Sequence, residues 1–421
     1  MSRHVTVIGA GIVGCMCAIE LLRQGDSVTI IEPGQPGGEQ AASYGNAAWL
    51  SSHSVIPPAE PGILRKVPGY LLDPLGPLAI RPAYFPKAIP WLLRYILSAS
   101  TPARVARIGR SLRPLLFDAP TLHAAVAAEA RCSHLIDANS GLMHIYRSRA
   151  AFVADSLGWN IRHDVGIKWE ELEGDAFRSV QPDLDPRYQF GVFVGEAGHC
   201  RNPGAYVGAL AAYARQHGAK VLKAAARGFR TEDGRLKAVL TDGGEVLCDA
   251  AVIAAGARSK ALAKAAGDRV PLETERGYHV MLDGVETGPT IPVLASDCKM
   301  VITMLDGGLR AAGQVEIADL DARPNMARAE ILKVHLLGMF PALPRNLPPE
   351  RIRFWLGNRP SMPDGMPCIG RASLSADIVH AFGHGHIGLV SSARTGRVVA
   401  QLVADRECEI SVDAFSPRRF G

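Results

Sequence analysis

Apolar positions along this chain first cluster at Val5-Thr-Val-Ile8, a run of strand length, and then recur at helical spacing as far as Gln24. Gly25 takes the place just past a helix end, and Ser27-Val-Thr-Ile-Ile31 follows as a second buried strand ending at Glu32. This is a complete βαβ unit. From about Pro57 to Ala130 prolines recur between amphipathic stretches, of which 87–98 and 114–130 read as short helices. A second α/β passage begins near Asn202: 204–217 is helical and closed by Gly218, and strands follow at 221–223, 236–241 and 245–248. Their turns fall at Glu232–Gly234 and Asp242–Gly244. Ala250–Ala254 is one more apolar strand, and mixed strand signals continue to about Trp355. A strand at Ile378–Phe382, a glycine-rich turn and a helix over about 391–404 complete the pattern, which contains no internal repeat.

Length changes this picture only by adding that 421 residues suffice for two domains of ordinary size. A mean hydropathy of +0.08 and 48% hydrophobic residues describe a soluble globular chain. No apolar run reaches the roughly 20 residues that span a bilayer. Val5 to Leu22 could pass for a signal peptide, but it lacks a cleavage site and is broken by three spaced glycines, so it reads as structure. The 8 cysteines are scattered, without a C-x-x-C pair or metal-type spacing, which fits reduced thiols in a cytoplasmic protein and no metal site.

Charge is less even. Arg65, Lys66, Arg81, Lys87, Arg94, Arg104, Arg107, Arg110 and Arg113 stand against Asp73 alone, so 63–113 carries +8 within a chain of net +5. The plainer reading is a solvated helical face. The sharper one is contact with an anionic membrane, at the inner face of the plasma membrane, because Trp91, Leu92, Leu93, Tyr95, Ile96 and Leu97 interleave with the charges. No nucleic-acid recognition motif accompanies the charge, so a nucleic-acid partner is not expected.

Gly9, Gly11 and Gly14 form G-x-G-x-x-G directly after a strand and at the opening of a helix, with Glu32 at the end of the next strand. The first glycine permits the tight turn, the second lets the backbone approach a pyrophosphate, and the third allows close helix–strand packing. Unpaired amides at the helix start favour the phosphates. Glu32 suits adenosine ribose hydroxyls and argues against the 2′-phosphate of NADP. The fingerprint alone serves NAD or FAD.

After Glu32 the chain departs from the serial strand–helix units of an NAD dehydrogenase into Gly37-Gly-Glu-Gln-Ala-Ala-Ser-Tyr-Gly-Asn-Ala-Ala-Trp49. Ser43–Ala47, Ala254-Ala-Gly-Ala-Arg-Ser259, the stretch Phe354–Gly370 with its G-x-R-P and P-D-G-x-P-x-I-G pattern, and Phe382-Gly-His-Gly-His-Ile-Gly-Leu389 occur in order along nearly the whole chain. On these the chain resembles the FAD-dependent D-amino-acid oxidase and glycine oxidase superfamily, most closely its bacterial D-amino-acid dehydrogenase branch. The resemblance implies FAD held by Gly9, Gly11, Ile12, Val13, Gly14, Glu32 and Pro33, by Ser43, Asn46 and Ala47 of a second flavin segment, and by Ala255 and Gly256. Gly383, His384, Gly385, His386, Gly388 and Leu389 would form the turn at the flavin ring. Arg227 stands where the family usually has a valine whose backbone meets the adenine.

By the same resemblance the fold is α/β plus α+β: a Rossmann-like FAD-binding domain from 1–52, 195–265 and 365–421, with an inserted mixed-sheet substrate domain from 53–194 and 266–364. Arg359 is expected to anchor a substrate carboxylate with its two-pronged guanidinium. Tyr278 and His53 are further candidates for the substrate pocket. The implied reaction is oxidative deamination of a D-amino acid to a 2-oxo acid and ammonia, with hydride passing from Cα to flavin N5 and electrons then to a quinone or other respiratory acceptor. No protein base is required if the amine arrives unprotonated. Alternatives within the superfamily are an oxidase or dehydrogenase of glycine, sarcosine or a cyclic imino acid such as hydroxyproline. A disulfide reductase would need a redox cysteine pair and a second nucleotide fingerprint, and a non-enzymatic flavoprotein has no use for Arg359.

Overall fold

The protein was analysed as a computed structural model that describes residues 2–59, 61–63, 67, 69 and 76–420; Arg65, Lys66 and Asp73 of the charged stretch lie outside these. A six-stranded sheet runs in the order Lys220–Leu222, Ser27–Ile31, His4–Ile8, Ala250–Ile253, Ile378–Phe382, Cys368–Arg371. The first five strands are parallel and the last is antiparallel. Its central strands are covered on both faces, which is why they read as largely apolar runs. Helices Ile12–Arg23, Pro203–Gln216 and Gly388–Val403 cover one face. At Gly396 a Cβ would come 2.8 Å from the Met16 backbone, so that glycine lets two of these helices meet closely. On the other face Leu236, Val239 and Leu262 pack against Ile8, Ile31 and Ile253. They come from the antiparallel sheet Ala226–Glu232, Arg235–Thr241, Gly244–Leu247 and from helix Ser259–Ala265.

The second large sheet is mixed and has nine strands. Its path is Ile352–Ser361, Glu273–Asp283, Gly308–Ile317, Met300–Leu305, Val293–Ala295, Leu142–Tyr146, Phe190–Val194, Glu170–Glu173, with Leu78–Ile80 added beside Gly308–Ile317. Helix Ala327–Met339 buries Leu332, Leu336 and Met339 against Tyr278, Val280 and Leu282 on one face. Residues of Glu273–Asp283 therefore alternate, even numbers toward this core and odd numbers toward the opposite face, where Glu275, Gly277 and His279 lie.

The helices between the sheets differ from the sequence pattern. The stretch 114–130 is two elements: Pro102–Leu116 ends with Pro114 in its last turn, and Ala119–Glu129 begins with Pro120 in its first turn. Pro120 is tolerated because first-turn amides lack intrahelical partners. Pro102–Leu116 buries Val105, Ile108, Leu112 and Leu115, a helical row that the intervening arginines hide in the sequence. Helix Phe85–Ser98 starts two residues before the expected 87. It is pinned over the second sheet by Trp91 Nε1 donating to Ser361 O (3.3 Å) and Ser98 Oγ donating to Pro363 O (3.0 Å).

Candidate active site

One cavity of about 2220 Å³ runs from the Gly9–Val13 turn to the sheet floor at Arg359. Pockets for single drug-sized ligands span roughly 300–1,000 Å³, so this one has room for a dinucleotide and a second small molecule. The N-terminal turn is shaped for the first. Gly9 has φ +108°, and a Cβ there would come 2.5 Å from Ala254 O. A Cβ on Gly14 would overlap the Gly9 carbonyl, so Gly14 serves helix–strand packing behind the cavity wall. At Gly11 the nearest protein atom to a Cβ is Ser43 Oγ at 3.4 Å. What requires glycine at that position is the open space that a pyrophosphate would fill. Glu32 Oε2 accepts from Ala10 N and Oε1 from Gly34 N, both at 2.9 Å, which orients its carboxylate at the adenosine end. Ile12, Val13, Pro33, Ala255 and Gly256 line the same stretch of wall. Arg227 lines it as well, but its side chain is exposed and lies 3.6 Å from Asp242, so only its backbone is in position to meet an adenine.

The second flavin segment lies between the two large sheets. Ser43 Oγ accepts from Ile12 N at 3.0 Å, linking it to the helix start. Arg310 Nη1 donates to Asn46 O (2.9 Å) and Thr303 Oγ1 to Ala47 O (3.2 Å), which tie it to the sheet below. Opposite it, His384, Gly385, His386, Gly388 and Leu389 line the cavity at the start of helix Gly388–Val403. Amides at this helix start suit the developing negative charge of a flavin's N1/C2 edge. Gly383 does not line the cavity: its φ of +80° and a Cβ position 2.7 Å from Met362 Cγ make it a packing glycine. Burial pushes the His384 imidazole down to about 3, so it is neutral, whereas His386 is exposed and lies 3.8 Å from Glu275. The chain thus has a fitted place for FAD along both walls.

Arg359 reaches the cavity across Gly277, where any Cβ would overlap its guanidinium. Its Nη1 donates to Gln314 O at 3.0 Å, and among the described residues no carboxylate lies within 4.0 Å of it. Burial lowers its pKa and Glu275 opposes that shift, yet an arginine stays charged. Glu275 itself is raised by burial against the pull of Arg359 and the Ser361 hydroxyl, which donates to it at 2.9 Å. The other two sequence candidates do not join this group. Tyr278 borders the cavity, but its side chain packs in the core of the second sheet and its hydroxyl donates to Glu316 Oε2 at 2.6 Å. His53 lies behind the wall: its Nε2 is 2.9 Å from His144 Nε2, and it is His144 that borders the cavity.

Several wall residues carried no sequence signal. Gln314 has φ +59°, and both its amide atoms are buried without a partner beside Arg359. Trp49 Nε1 is likewise buried and unpartnered at the cavity. Trp355 stacks on His279 with ring centres 5.0 Å apart, and Gly45 and Gly357 leave room for its indole. His123 is placed by acceptor logic: Leu389 O, 3.0 Å from Nε2, can only accept, so Nδ1 receives the Tyr206 hydroxyl at 3.0 Å. That bond fixes the start of the flavin-facing helix.

A pH dependence follows. Burial lowers His123 to about 4 and His279 and His384 to about 3, against about 6.5 in the unfolded chain. Between those limits the unfolded state binds more protons, so stability is complete above about pH 6.5 and falls as pH drops toward 3–4, by up to about 1.4 kcal/mol per unit for each group. The urea midpoint should be flat between about pH 7 and pH 8 and fall clearly by pH 5, and His123→Gln should shallow the fall. An unchanged midpoint at pH 5 would contradict this.

Comparison with known proteins agrees with the geometry. The family described as DAO, FAD dependent oxidoreductase, matches residues 4–402. A protein of Bradyrhizobium diazoefficiens named D-amino-acid oxidase is 61% identical over 418 residues, covering 99% of each chain. One of Rhizobium rhizogenes named D-amino acid dehydrogenase is 28% identical, covering 99% of this chain and 100% of the other. Among solved structures, glycine oxidase from Geobacillus kaustophilus superposes with a TM-score of 0.77 at 20% identity, covering 99% of both chains. L-Proline dehydrogenase from P. horikoshii superposes at 0.75, also at 20% identity, covering 100% of this chain and 98% of that one; both share the fold. The chain belongs to the DAO family of FAD-dependent oxidoreductases.

Proposed function

We propose that this enzyme oxidises a D-amino acid at Cα to the imino acid, which water hydrolyses to a 2-oxo acid and ammonia. The observation that carries this reading is the Arg359 guanidinium, half-buried in the cavity floor with one protein hydrogen bond and no carboxylate partner among the described residues. It offers a planar pair of donors to an α-carboxylate and so fixes where Cα–H points. FAD, when bound, supplies the hydride acceptor. His384, held neutral, adds no charge beside Arg359. The relative at 61% identity supports D-amino acids as the substrate class.

The electron acceptor divides two readings. That relative's name favours oxygen, whereas the dehydrogenases at 28% identity keep a quinone or other acceptor in play. Anaerobic mixing of the yellow holoenzyme with D- and L-amino acids, glycine, sarcosine and hydroxyproline tests the substrate class. Bleaching by D-amino acids alone is expected, and bleaching only by L-amino acids, or by none, would overturn it. Oxygen uptake during turnover then marks an oxidase, and a strict need for a dye or quinone a dehydrogenase.

A further inference from the structure

Helix Phe85–Ser98 carries a row of large apolar side chains at every fourth position that face outward: Phe85 (47% exposed), Ile89 (39%), Leu93 (56%) and Leu97 (57%). Residues four apart lie on one helix face, and a helix of a globular domain ordinarily turns such a row inward. Here the inward role falls instead to Ala88 and Trp91. From 74 to 117 the sequence contains no aspartate or glutamate. Lys87 and Arg94 on this helix, and Arg104, Arg107 and Arg110 on Pro102–Leu116, are exposed, and none has an acidic partner within 4.0 Å among the described residues. The two sets meet, because Arg104 Nη1 donates to Leu97 O and to Ser100 Oγ (3.0 Å). Phe85, Ile89 and Leu93 also border the large cavity. Among the described residues no helix is long and apolar enough to cross a membrane.

We propose that this face docks on an anionic lipid bilayer, with the apolar row seated at the headgroup–acyl boundary and the unpaired cations on the phosphates. An apolar row bordered by uncompensated positive charge matches such a surface on both counts. A protein partner of ordinary composition would have to bring a dense acidic rim around an apolar groove. Docking in this way brings the rim of the cavity to the lipid surface. The inference is independent of which substrate the enzyme oxidises.

The test is sedimentation of the holoenzyme with vesicles of phosphatidylcholine with and without phosphatidylglycerol. At low salt the bound fraction should rise at least about tenfold when phosphatidylglycerol is present, and most of it should be lost near 0.5 M salt, where the screening length is only a few ångströms (~4 Å). Leu97→Glu, outside the cavity wall, and Arg107→Glu/Arg110→Glu should each reduce binding about tenfold or more while leaving turnover with a soluble dye unchanged. Equal binding to both vesicle types, or none to either, overturns the proposal. So does a stable dimer that Leu97→Glu dissociates, since the row would then cover a second copy of the chain.

Discussion

Arg359→Leu is expected to lower kcat/KM for a D-amino acid by about 10²–10³-fold, about 3–4 kcal/mol at 1.36 kcal/mol per tenfold, while the purified protein remains yellow. The guanidinium is half-buried in the cavity floor, its one hydrogen bond among the described residues is to Gln314 O, and nothing acidic among them lies within ion-pair range. A substrate carboxylate would therefore meet a partly desolvated cation with donors to spare, and removing one member of a pair buried in the complex typically costs 2–5 kcal/mol. Arg359→Lys keeps the charge and loses the planar fork, so it should fall between, with its loss in kcat as well as KM if the fork also aims Cα–H. Flavin absorbance separates this from a folding defect. A variant that binds FAD and turns over within threefold of wild type would remove Arg359 from the site, and with it the support for an α-carboxylate substrate.

How much of this was legible in the sequence depends on what each segment packs against. The strands His4–Ile8, Ser27–Ile31, Ala250–Ile253 and Ile378–Phe382 are covered on both faces and stand out as apolar runs, and the turns after them need glycines at Gly9 and Gly385 for conformational reasons. Glu273–Asp283 is equally buried but holds Glu273, Glu275, Arg276 and His279, whose partners are remote in sequence, so its pattern is neither apolar nor alternating. Gln314 could not be read at all: its positive φ belongs to an irregularity in the pairing of Glu273–Asp283 with Gly308–Ile317, which only the paired strands define. The tie from His123 to Leu389 spans 266 residues. His53 was placed by its nearness in sequence to Ser43–Ala47, and the cavity is bounded there by His144, 91 residues further on. Arg359 was found because its motif carries it, even though its neighbours Gly277 and Gln314 were silent.

Tyr278 borders the cavity while its hydroxyl is engaged elsewhere, and it leads to the second large effect. Its position near the substrate strand is right, but one step of strand alternation turns its side chain to the other face. There Glu316 is the centre of a buried polar cluster: it accepts from Tyr278 (2.6 Å), from Arg276 (2.9 Å) and from the half-exposed Arg81 (2.8 Å). Arg276 and Glu316 are both almost completely buried, and Arg276 Nη2 also donates to Ala322 O at 2.7 Å. Removing one partner of a buried ion pair leaves an uncompensated charge and costs about 3–5 kcal/mol. Glu316→Leu should therefore destabilise the protein by that amount in urea unfolding. Tyr278→Phe, which leaves the ion pair intact and deletes one buried hydrogen bond, should cost about 1–3 kcal/mol. The decisive readout is kinetic: Tyr278→Phe should keep kcat/KM within about threefold of wild type. A hydroxyl that held the substrate would instead lose tenfold or more on deletion, and that outcome would require the side chain to leave Glu316 and cross to the cavity face of its strand.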